Sequence, residues 1–393
     1  MRFSGPIAAY TRKVFRVTLT VALVTLFSCN ASAQWVLQKS QTTADLRGID
    51  SVSVEVAWAS GTNGTVLRTT DGGEHWQTCT VPTGAEHLDF RGIQGFDAHT
   101  AIVMSSGMGA LSRLYKTTDD CRSWRLILTN PDPDGFWDAV KFTIGEKDRP
   151  YRTGVLYGDP VRDEFVEFYT SDFGESWRRS PERAGARPGE RLFAASNSTL
   201  LYGPGVETLI VTGGPSGSRS RTRQYNFQHD PYVPYRFVGG DIPLAISDTA
   251  GAFSVATSLT GGAPLRGNEK WIGGVYGLPV TLVAVGGDFQ NPERSKGTAA
   301  FTVDGGQHWT ASTKPPHGYR SSVVYDDQAK AWIAVGPNGT DVSDDGRNWR
   351  ALVPNNAIHE PADADRNWNA ISLPFVVGPH GRIGKHRPGA LQQ

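Results

Sequence analysis

An eight-residue pattern, Ser/Thr-x-Asp-x-Gly-x-x-Trp, occurs five times in this chain and constrains its fold more than any other feature. The Asp carboxylate can accept hydrogen bonds from backbone amides of its own turn, and the Gly permits a positive φ. The Trp then begins the next strand and buries its large ring against the sheet below. Each copy therefore predicts a structural hairpin turn rather than a catalytic aspartate. The copies carry Asp71 and Trp76, Asp119 and Trp124, Asp172 and Trp177, Asp304 and Trp309, and Asp344 and Trp349.

Two copies depart from the pattern at one position each. The second has Cys121 in the Gly position, and the fifth has Val342 in the Ser/Thr position. Ahead of the first two copies, short apolar segments occur in the same order and predict three strands, with the turn leading into a fourth. Four antiparallel strands in a unit of about 40–50 residues are typical of a β-propeller blade.

The spacing of the copies gives the number of blades. Successive Asp positions are 48, 53, 132 and 40 residues apart. The long gap predicts a degenerate blade in residues 191–244, with its first strand at Leu192–Ala195, followed by a blade that begins near Ala252 and has an insertion near 259–277. Two degenerate blades in that gap would instead give eight in all.

The two ends of the chain supply the last blade. Three strand-like segments follow Trp349, and one segment without partners, Trp35–Gln38, opens the mature chain. Together they close the ring, because an open ring would leave an unpaired strand edge. We therefore predict an all-β, seven-bladed β-propeller of four-stranded antiparallel blades, closed by N- and C-terminal strands. It forms a single domain over residues 34–387, with 388–393 as a disordered tail.

The first 33 residues have the order of a secretory signal peptide. A basic start without acidic residues is followed by an apolar run, Val17–Phe27, and then by the small-residue cleavage signal Ala31-Ser32-Ala33. This order predicts cleavage before Gln34 and a periplasmic or secreted protein without a transmembrane span. The alternative is a lipoprotein anchored at Cys29.

Charge and cysteine content narrow the class of protein further. Four of the 39 Lys and Arg residues lie in the signal segment, so the mature chain has 35 of them against 39 Asp and Glu. This balance does not favour a nucleic-acid partner. The two remaining cysteines, Cys79 and Cys121, are predicted to form a disulfide in an oxidising compartment. Since no Cys/His cluster has metal-ligand spacing, we predict no metal and no cofactor. We also predict that the protein is a monomer.

The eight-residue pattern resembles the Asp-box, or bacterial neuraminidase, repeat. Four further regions, 136–140, 157–161, 285–288 and 318–321 with 335–337, are similar to the photosystem II stability/assembly factor-like family, and the likeness covers nearly all of 35–386. The resemblance implies a non-enzymatic propeller that binds or helps assemble another protein of the cell envelope. Asp-box repeats also occur in sialidases, other glycosidases and sortilin-like receptors, so a sialidase-like glycoside hydrolase is the alternative.

In a propeller the innermost strand of each blade lines the central channel, and polar residues at the start of these strands face its mouth. We predict a binding site at this channel mouth, with no catalytic residue assigned. In the alternative, the same residues bond to one another and close the channel. Arg47, Arg91 and Arg320 could imitate a sialidase arginine triad, but the Arg-Ile-Pro motif is missing. The predicted binding residues are Arg47, Arg91, Asp138, Asp159, Asp288, Arg320 and Asn369, and the arginines 219, 221 and 223 are interpreted as a solvated hairpin.

Overall fold

A computed structural model describes residues 1, 34–143, 153–182, 184–203, 206–224, 236–258, 271–272, 275–276, 281–353 and 361–387. The predicted signal peptide beyond Met1, the predicted tail 388–393 and most of the predicted insertion near 259–277 lie outside these ranges. The described residues form seven antiparallel sheets, each built on a path of four strands, and one separate two-stranded hairpin. Within the described part of the chain, no helix is long and apolar enough to cross a membrane.

The first three blades follow the predicted order of strands. After β1 (Trp35–Gln38), blade 1 contains β2 (Leu46–Ser51), β3 (Ala57–Gly61), β4 (Val66–Thr69) and β5 (Gln77–Thr78). Blade 2 contains β6 (Phe90–Gly95), β7 (Ala101–Ser105), β8 (Arg113–Thr117) and β9 (Arg125–Thr129). Blade 3 contains β10 (Trp137–Phe142), β11 (Gly154–Val161), β12 (Glu164–Thr170) and β13 (Arg178–Arg179), with β14 (Ala184–Gly185) also pairing with β12.

Blades 4 to 6 include the region without a recognisable repeat. Blade 4 contains β15 (Leu200–Gly203), β16 (Val206–Val211), β17 (Ser218–Gln224) and β18 (Arg236–Val238), and β19 (Asp241–Ile242) pairs with β17. Blade 5 contains β20 (Ala250–Thr257), β23 (Leu282–Asp288), β24 (Ala299–Thr302) and β25 (Thr310–Ala311), with the small hairpin of β21 (Trp271–Ile272) and β22 (Val275–Tyr276) inserted after its first strand. Blade 6 contains β26 (Ser322–Asp326), β27 (Ala331–Gly336), β28 (Gly339–Ser343) and β29 (Arg350–Ala351).

Blade 7 closes the ring in the predicted way. It contains β30 (Ala370–Ser372), β31 (Phe375–Val377) and β32 (Ile383–His386), and β1 pairs antiparallel with β32 as the outermost strand. Seven apolar clusters of described residues fill the seven interfaces between neighbouring blades. The core is therefore a ring of blade-to-blade contacts, and the prediction of seven blades rather than eight is confirmed.

Four of the five octapeptide turns share one set of hydrogen bonds. In the first, Thr69 Oγ1 donates to Asp71 Oδ1 at 2.9 Å, and the same carboxylate accepts from His75 N at 3.0 Å. Gly73 N, at a positive φ, donates to Thr69 Oγ1 at 2.9 Å. The backbone bond from His75 is the largest of the effects that hold the pKa of Asp71 at about 2. The turns at Asp119, Asp172 and Asp304 repeat this arrangement.

The fifth turn corrects the sequence prediction by one residue. Val342 has no hydroxyl group, so Ser343 takes the place of the threonine and donates from Oγ to Asp345 Oδ1 at 3.1 Å. Asp345 then accepts from the amides of Arg347 and Asn348, each at 2.8 Å. The exposed Asp344, which the pattern aligned with the other aspartates, makes none of these bonds among the described residues.

The tryptophans of these turns pack between blades. Trp76 meets Phe375 of blade 7 edge-on with ring centroids 5.4 Å apart, and Trp349 donates from Nε1 toward Ser312 of blade 5 at 3.4 Å. Trp76 and Trp349 are buried, whereas Trp124, Trp177 and Trp309 remain partly exposed. The disulfide between Cys79 and Cys121, with Cα atoms 5.3 Å apart, joins the edge of blade 1 to the turn of blade 2.

Blade 4 differs from the sequence prediction at its innermost strand and at its arginines. The first strand is β15 rather than Leu192–Ala195, which lies in a connection that leads into the channel. The arginines of β17 are not a solvated hairpin, because the side chains of Arg219 and Arg223 are only 17 % and 13 % exposed and pair with Glu190 and Glu167. A strand of blade 4 therefore carries partly buried charge.

Candidate functional site at the channel mouth

The innermost strands share an irregularity at their start. In blades 1, 2, 3 and 5 the pairing register skips one residue, and the skipped residues are Arg47, Arg91, Asp138 and Phe253. A bulge of this kind turns a side chain out of the sheet. These four side chains therefore occupy equivalent positions around one end of the channel. The octapeptide turns lie at the other end of the channel. Gly72 N of the first turn bonds to Glu55 O in the loop after β2, whereas Arg47 lies at the start of that strand.

In blade 4, six residues occupy the position at which blades 1, 2, 3 and 5 have a single bulged residue. Arg191 bonds to Gly213 on one side of the irregularity, and Thr199 O accepts from Val211 N on the other. The residues between the two sites that correspond to the other bulges are Phe193–Ser198. We call this segment the channel plug.

The channel plug crosses the channel and bonds to four other blades. Asn197 Oδ1 accepts from Val140 N at 2.8 Å, and its Nδ2 donates to Val140 O at 3.1 Å and to Ile93 O at 3.3 Å. On the far side, Ser198 Oγ donates to Ser254 Oγ at 2.7 Å, and Ser196 Oγ donates to Ser321 O at 2.8 Å. Blades 2, 3, 5 and 6 are thereby joined through one polar segment. The channel is closed at this depth.

Aromatic rings lie above the plug on the side of the mouth. Phe193 stacks on Phe253 with centroids 3.9 Å apart and planes 13° from parallel. Phe253 also meets Tyr319 at 4.8 Å and Phe289 at 6.1 Å, both near perpendicular. Phe289 is 46 % exposed, so this cluster extends from the plug to the solvent.

Two arginines lie beside these rings. Arg91 donates from Nε to Asp89 Oδ2 at 2.8 Å and from Nη1 to Ala194 O of the plug at 3.2 Å. Among the described residues, Arg47 has only long ion pairs, with Asp89 at 3.9 Å and Asp45 at 3.8 Å. Burial raises the pKa of Tyr319, and the charges of Arg47 and Arg91 oppose that rise. The two side chains are 30 % and 31 % exposed and can donate to a ligand.

Two carboxyl groups lie deeper on the same side. Asp138 is buried, and its Oδ2 has no hydrogen-bond partner among the described residues. Burial, then the neighbouring Asp159, raises its pKa well above the usual value. Burial also raises the pKa of Asp159 to about 6, although its Oδ1 accepts from Leu192 N at 2.8 Å at the entry to the plug. Both groups therefore hold their protons to a higher pH than an ordinary aspartate does.

The other three predicted binding residues are engaged in structural contacts. Asp288 accepts from Thr249 Oγ1 at 2.7 Å and from Asn291 Nδ2 at 2.8 Å, and so holds its own loop. Asn369 donates to Leu46 O at 2.8 Å and links blade 7 to blade 1. Each thus has an evident structural contact.

Arg320 is fully buried and pairs with Asp341. Its backbone amide bonds to Gly286 O of the preceding blade, as those of Leu46 and Trp368 do to theirs, so it lies one register position before the bulge. At that position the side chain points into the blade. Ser321 is the residue of blade 6 that faces the channel.

Sequence reasoning missed the plug, Phe253, Phe289 and Asp89. The polar run Ser196-Asn197-Ser198, directly after the predicted innermost strand Leu192–Ala195, was the available signal. Among the described residues, Asp71, Glu74 and His75 have ligand atoms within 4.8 Å of one another. All three are exposed, and His75 Nδ1 already contacts Asp71 Oδ2 at 2.7 Å within the turn.

Comparisons with known proteins support the architecture. The sequence matches no family model and no curated protein sequence. Among solved structures, the chain is similar to YCF48 bound to D1 peptide, with a TM-score of 0.53 and 15 % identity over 90 % of this chain and 96 % of that one. It is also similar to YCF48 from Cyanidioschyzon merolae, with a TM-score of 0.54 and 17 % identity over 91 % and 99 % of the two chains. The chain therefore has the propeller fold of these YCF48 structures, as the sequence resemblance implied.

Proposed function

We propose that this protein is an exported, non-enzymatic propeller that binds a segment of another protein of the cell envelope at its channel mouth. The proposal rests on a closed channel, an aromatic cluster and two partly exposed arginines that lie together at one end of the ring. The plug closes the channel beneath an aromatic cluster, and Arg47 and Arg91 present partly exposed donors beside it. Because the channel is closed, a protein segment would bind across the mouth rather than enter it. Arg and aromatic side chains commonly anchor protein interfaces, and both are present there.

Export is supported by two independent features. The N-terminal segment has the order of a signal peptide, although it lies outside the described residues. The disulfide between Cys79 and Cys121 is of a kind that persists in oxidising compartments. The periplasm or the cell exterior is therefore the proposed location.

The mouth favours binding over glycoside hydrolysis. A glycosidase requires two carboxyl groups placed on either side of a sugar in an accessible cleft. Of the carboxyl groups described at this mouth, Asp138 is buried, Asp159 accepts from the backbone at the entry to the plug, and Asp89 accepts from Arg91. The peptide bound to YCF48 is consistent with a protein ligand for this fold.

Photo-cross-linking from the mouth tests the proposal. A cross-linking amino acid at Phe289 should capture a discrete envelope protein in cells. The same residue at Val303, which is 56 % exposed in the fourth octapeptide turn on the opposite face, is the matched control and should capture none. Adding Arg47→Gln should reduce capture from position 289. Equal capture from both positions, or none from position 289, would contradict the proposal.

A further inference from the structure

Three arginines converge on a polar pocket at the outer strands of blade 4. Arg187, Arg219 and Arg221 line a cavity of about 330 Å³, together with Phe237 and the glycine pair Gly239–Gly240. Arg219 and Arg221 stand two residues apart on β17, so their side chains leave the same face of the strand. This pocket is separate from the residues of the channel mouth.

The charges in this pocket do not balance. Arg219 donates from Nε to Glu190 Oε1 at 2.6 Å, and Arg187 pairs with Asp241 at 2.8 Å. The one described hydrogen bond of the Arg221 guanidinium goes to the backbone carbonyl of Gly185, at 2.6 Å. Three cations thus face two carboxylates, and the carboxylates are already engaged. Arg221 retains donors with no acidic partner among the described residues.

The outermost strand leaves this arginine uncovered. The pairing of β18 with β17 ends at Val238, and that of β19 begins at Asp241. The two glycines between them lie opposite Ser220 and Arg221 and carry no side chain. An added Cβ at Gly239 would lie 1.9 Å from Ser220 O, so a larger residue there would disturb the sheet. The opening is therefore part of the backbone design of the blade.

We propose that this pocket binds an oxyanion of the phosphate class, with Arg221 as its principal donor. A guanidinium group presents parallel N–H groups that match two oxygens of a phosphate, and paired N–H···O⁻ bonds are among the strong ones. Burial, then the charge of Arg219, holds the pKa of Arg221 below its usual range, and a bound anion would offset both effects. The cavity admits either a free oxyanion or the head of a phosphomonoester.

Titration calorimetry of the mature protein at constant ionic strength tests the proposal. Inorganic phosphate and glycerol 2-phosphate are titrated in separate arms against a chloride baseline. We expect one saturable site in at least one arm, and the tighter arm identifies the source of the anion. Arg221→Gln should weaken binding about tenfold, as expected for a lost charge-assisted hydrogen bond. Arg187→Gln, at a more exposed position, should also weaken it and serves if Arg221→Gln fails to fold.

The matched control is Arg347→Gln. Arg347 lies over the ring of Phe301 at 4.6 Å, much as Arg221 lies over Phe165 at 5.7 Å, but it is in blade 6 and outside the pocket. This variant should bind phosphate like the unmodified protein. The proposal is overturned by the absence of a saturable site in both arms, or by equal losses in Arg221→Gln and Arg347→Gln.

Discussion

Arginines at neighbouring register positions have different surroundings in this ring. Arg47 occupies a bulge, is partly exposed and forms long ion pairs with Asp45 and Asp89. Arg320 lies one position earlier in its strand, where it is fully buried and donates from Nε to Asp341 Oδ2 at 2.8 Å. The side chain of Asp341 is 1 % exposed. The side chain of Arg47 can therefore bind a ligand, whereas that of Arg320 neutralises the buried charge of Asp341.

Substitution of these two arginines should separate the two roles. Arg320→Gln leaves Asp341 with His317 as its remaining ionisable neighbour, and should lower the free energy of unfolding by about 3–5 kcal/mol, the range for breaking a buried ion pair. Arg47→Gln removes only exposed, long ion pairs and should change it by about 0–1 kcal/mol. Urea unfolding of both variants measures the difference. Similar values for the two would contradict the assignment of Arg320 to the blade interior.

Asp159 predicts a pH dependence of opposite sign to that of an ordinary ion-paired carboxylate. Its folded pKa is raised to about 6 from 3.8, mainly by burial, so the folded protein holds the proton more tightly than the unfolded chain. Its contribution to stability therefore falls as the pH rises from about 4 to about 6. Asp159→Asn retains an oxygen that can accept from Leu192 N and removes this cost.

Melting temperatures measured between pH 4 and pH 7 test this pH dependence of the Asp159 contribution to stability. The Asp159→Asn variant should melt higher than the unmodified protein at pH 7, and the difference should vanish toward pH 4. The control is Asp327→Asn, a partly exposed carboxylate that pairs with Lys330 at 3.7 Å, and it should leave the pH profile unchanged. A variant that melts lower at pH 7 would show that the Asp159 charge stabilises the fold.

At the scale of elements, each octapeptide turn concentrates its bonds on one carboxylate. In the fifth turn that carboxylate belongs to Asp345, with the neighbouring Asp344 exposed beside it. Asp345→Ala should cost about 0.5–2 kcal/mol, comparable with the loss of a side-chain cap that holds two backbone amides. Asp344→Ala is the matched control and should cost about 0–0.5 kcal/mol. Chemical denaturation of both variants decides between the two aspartates, and a larger loss for Asp344→Ala would reverse the assignment.

The channel plug could not be located from the sequence. Leu192 is buried as a strand residue would be, and it occupies the register position of Leu46, so an apolar pattern predicted an innermost strand there. The six residues that follow it leave the sheet where other blades have a one-residue bulge. Only their contacts with Val140, Ser254 and Ser321 explain why the chain takes this path. Such contacts join residues 56 to 125 positions apart and leave no local pattern.

At the scale of the whole molecule, the fold was predictable because its determinants repeat. The turn pattern and the spacing of its copies gave the size of a blade, and the need to pair Trp35–Gln38 gave the ring closure. The mouth was only partly predictable, because the side a residue faces depends on its exact register. A shift of one position moved Arg320 into the blade and gave Asp345 the role expected of Asp344.

The division between a binding mouth and a structural remainder is the central claim, and one measurement tests it most directly. With the partner captured through position 289, its affinity is measured by calorimetry for the unmodified protein, the Arg47→Gln/Arg91→Gln variant and the Arg347→Gln control. The double variant should bind at least about tenfold more weakly with an unchanged melting temperature, since both side chains are partly exposed at the mouth. Arg347→Gln should bind normally. Unchanged affinity in the double variant, or a loss that follows unfolding, would contradict the account.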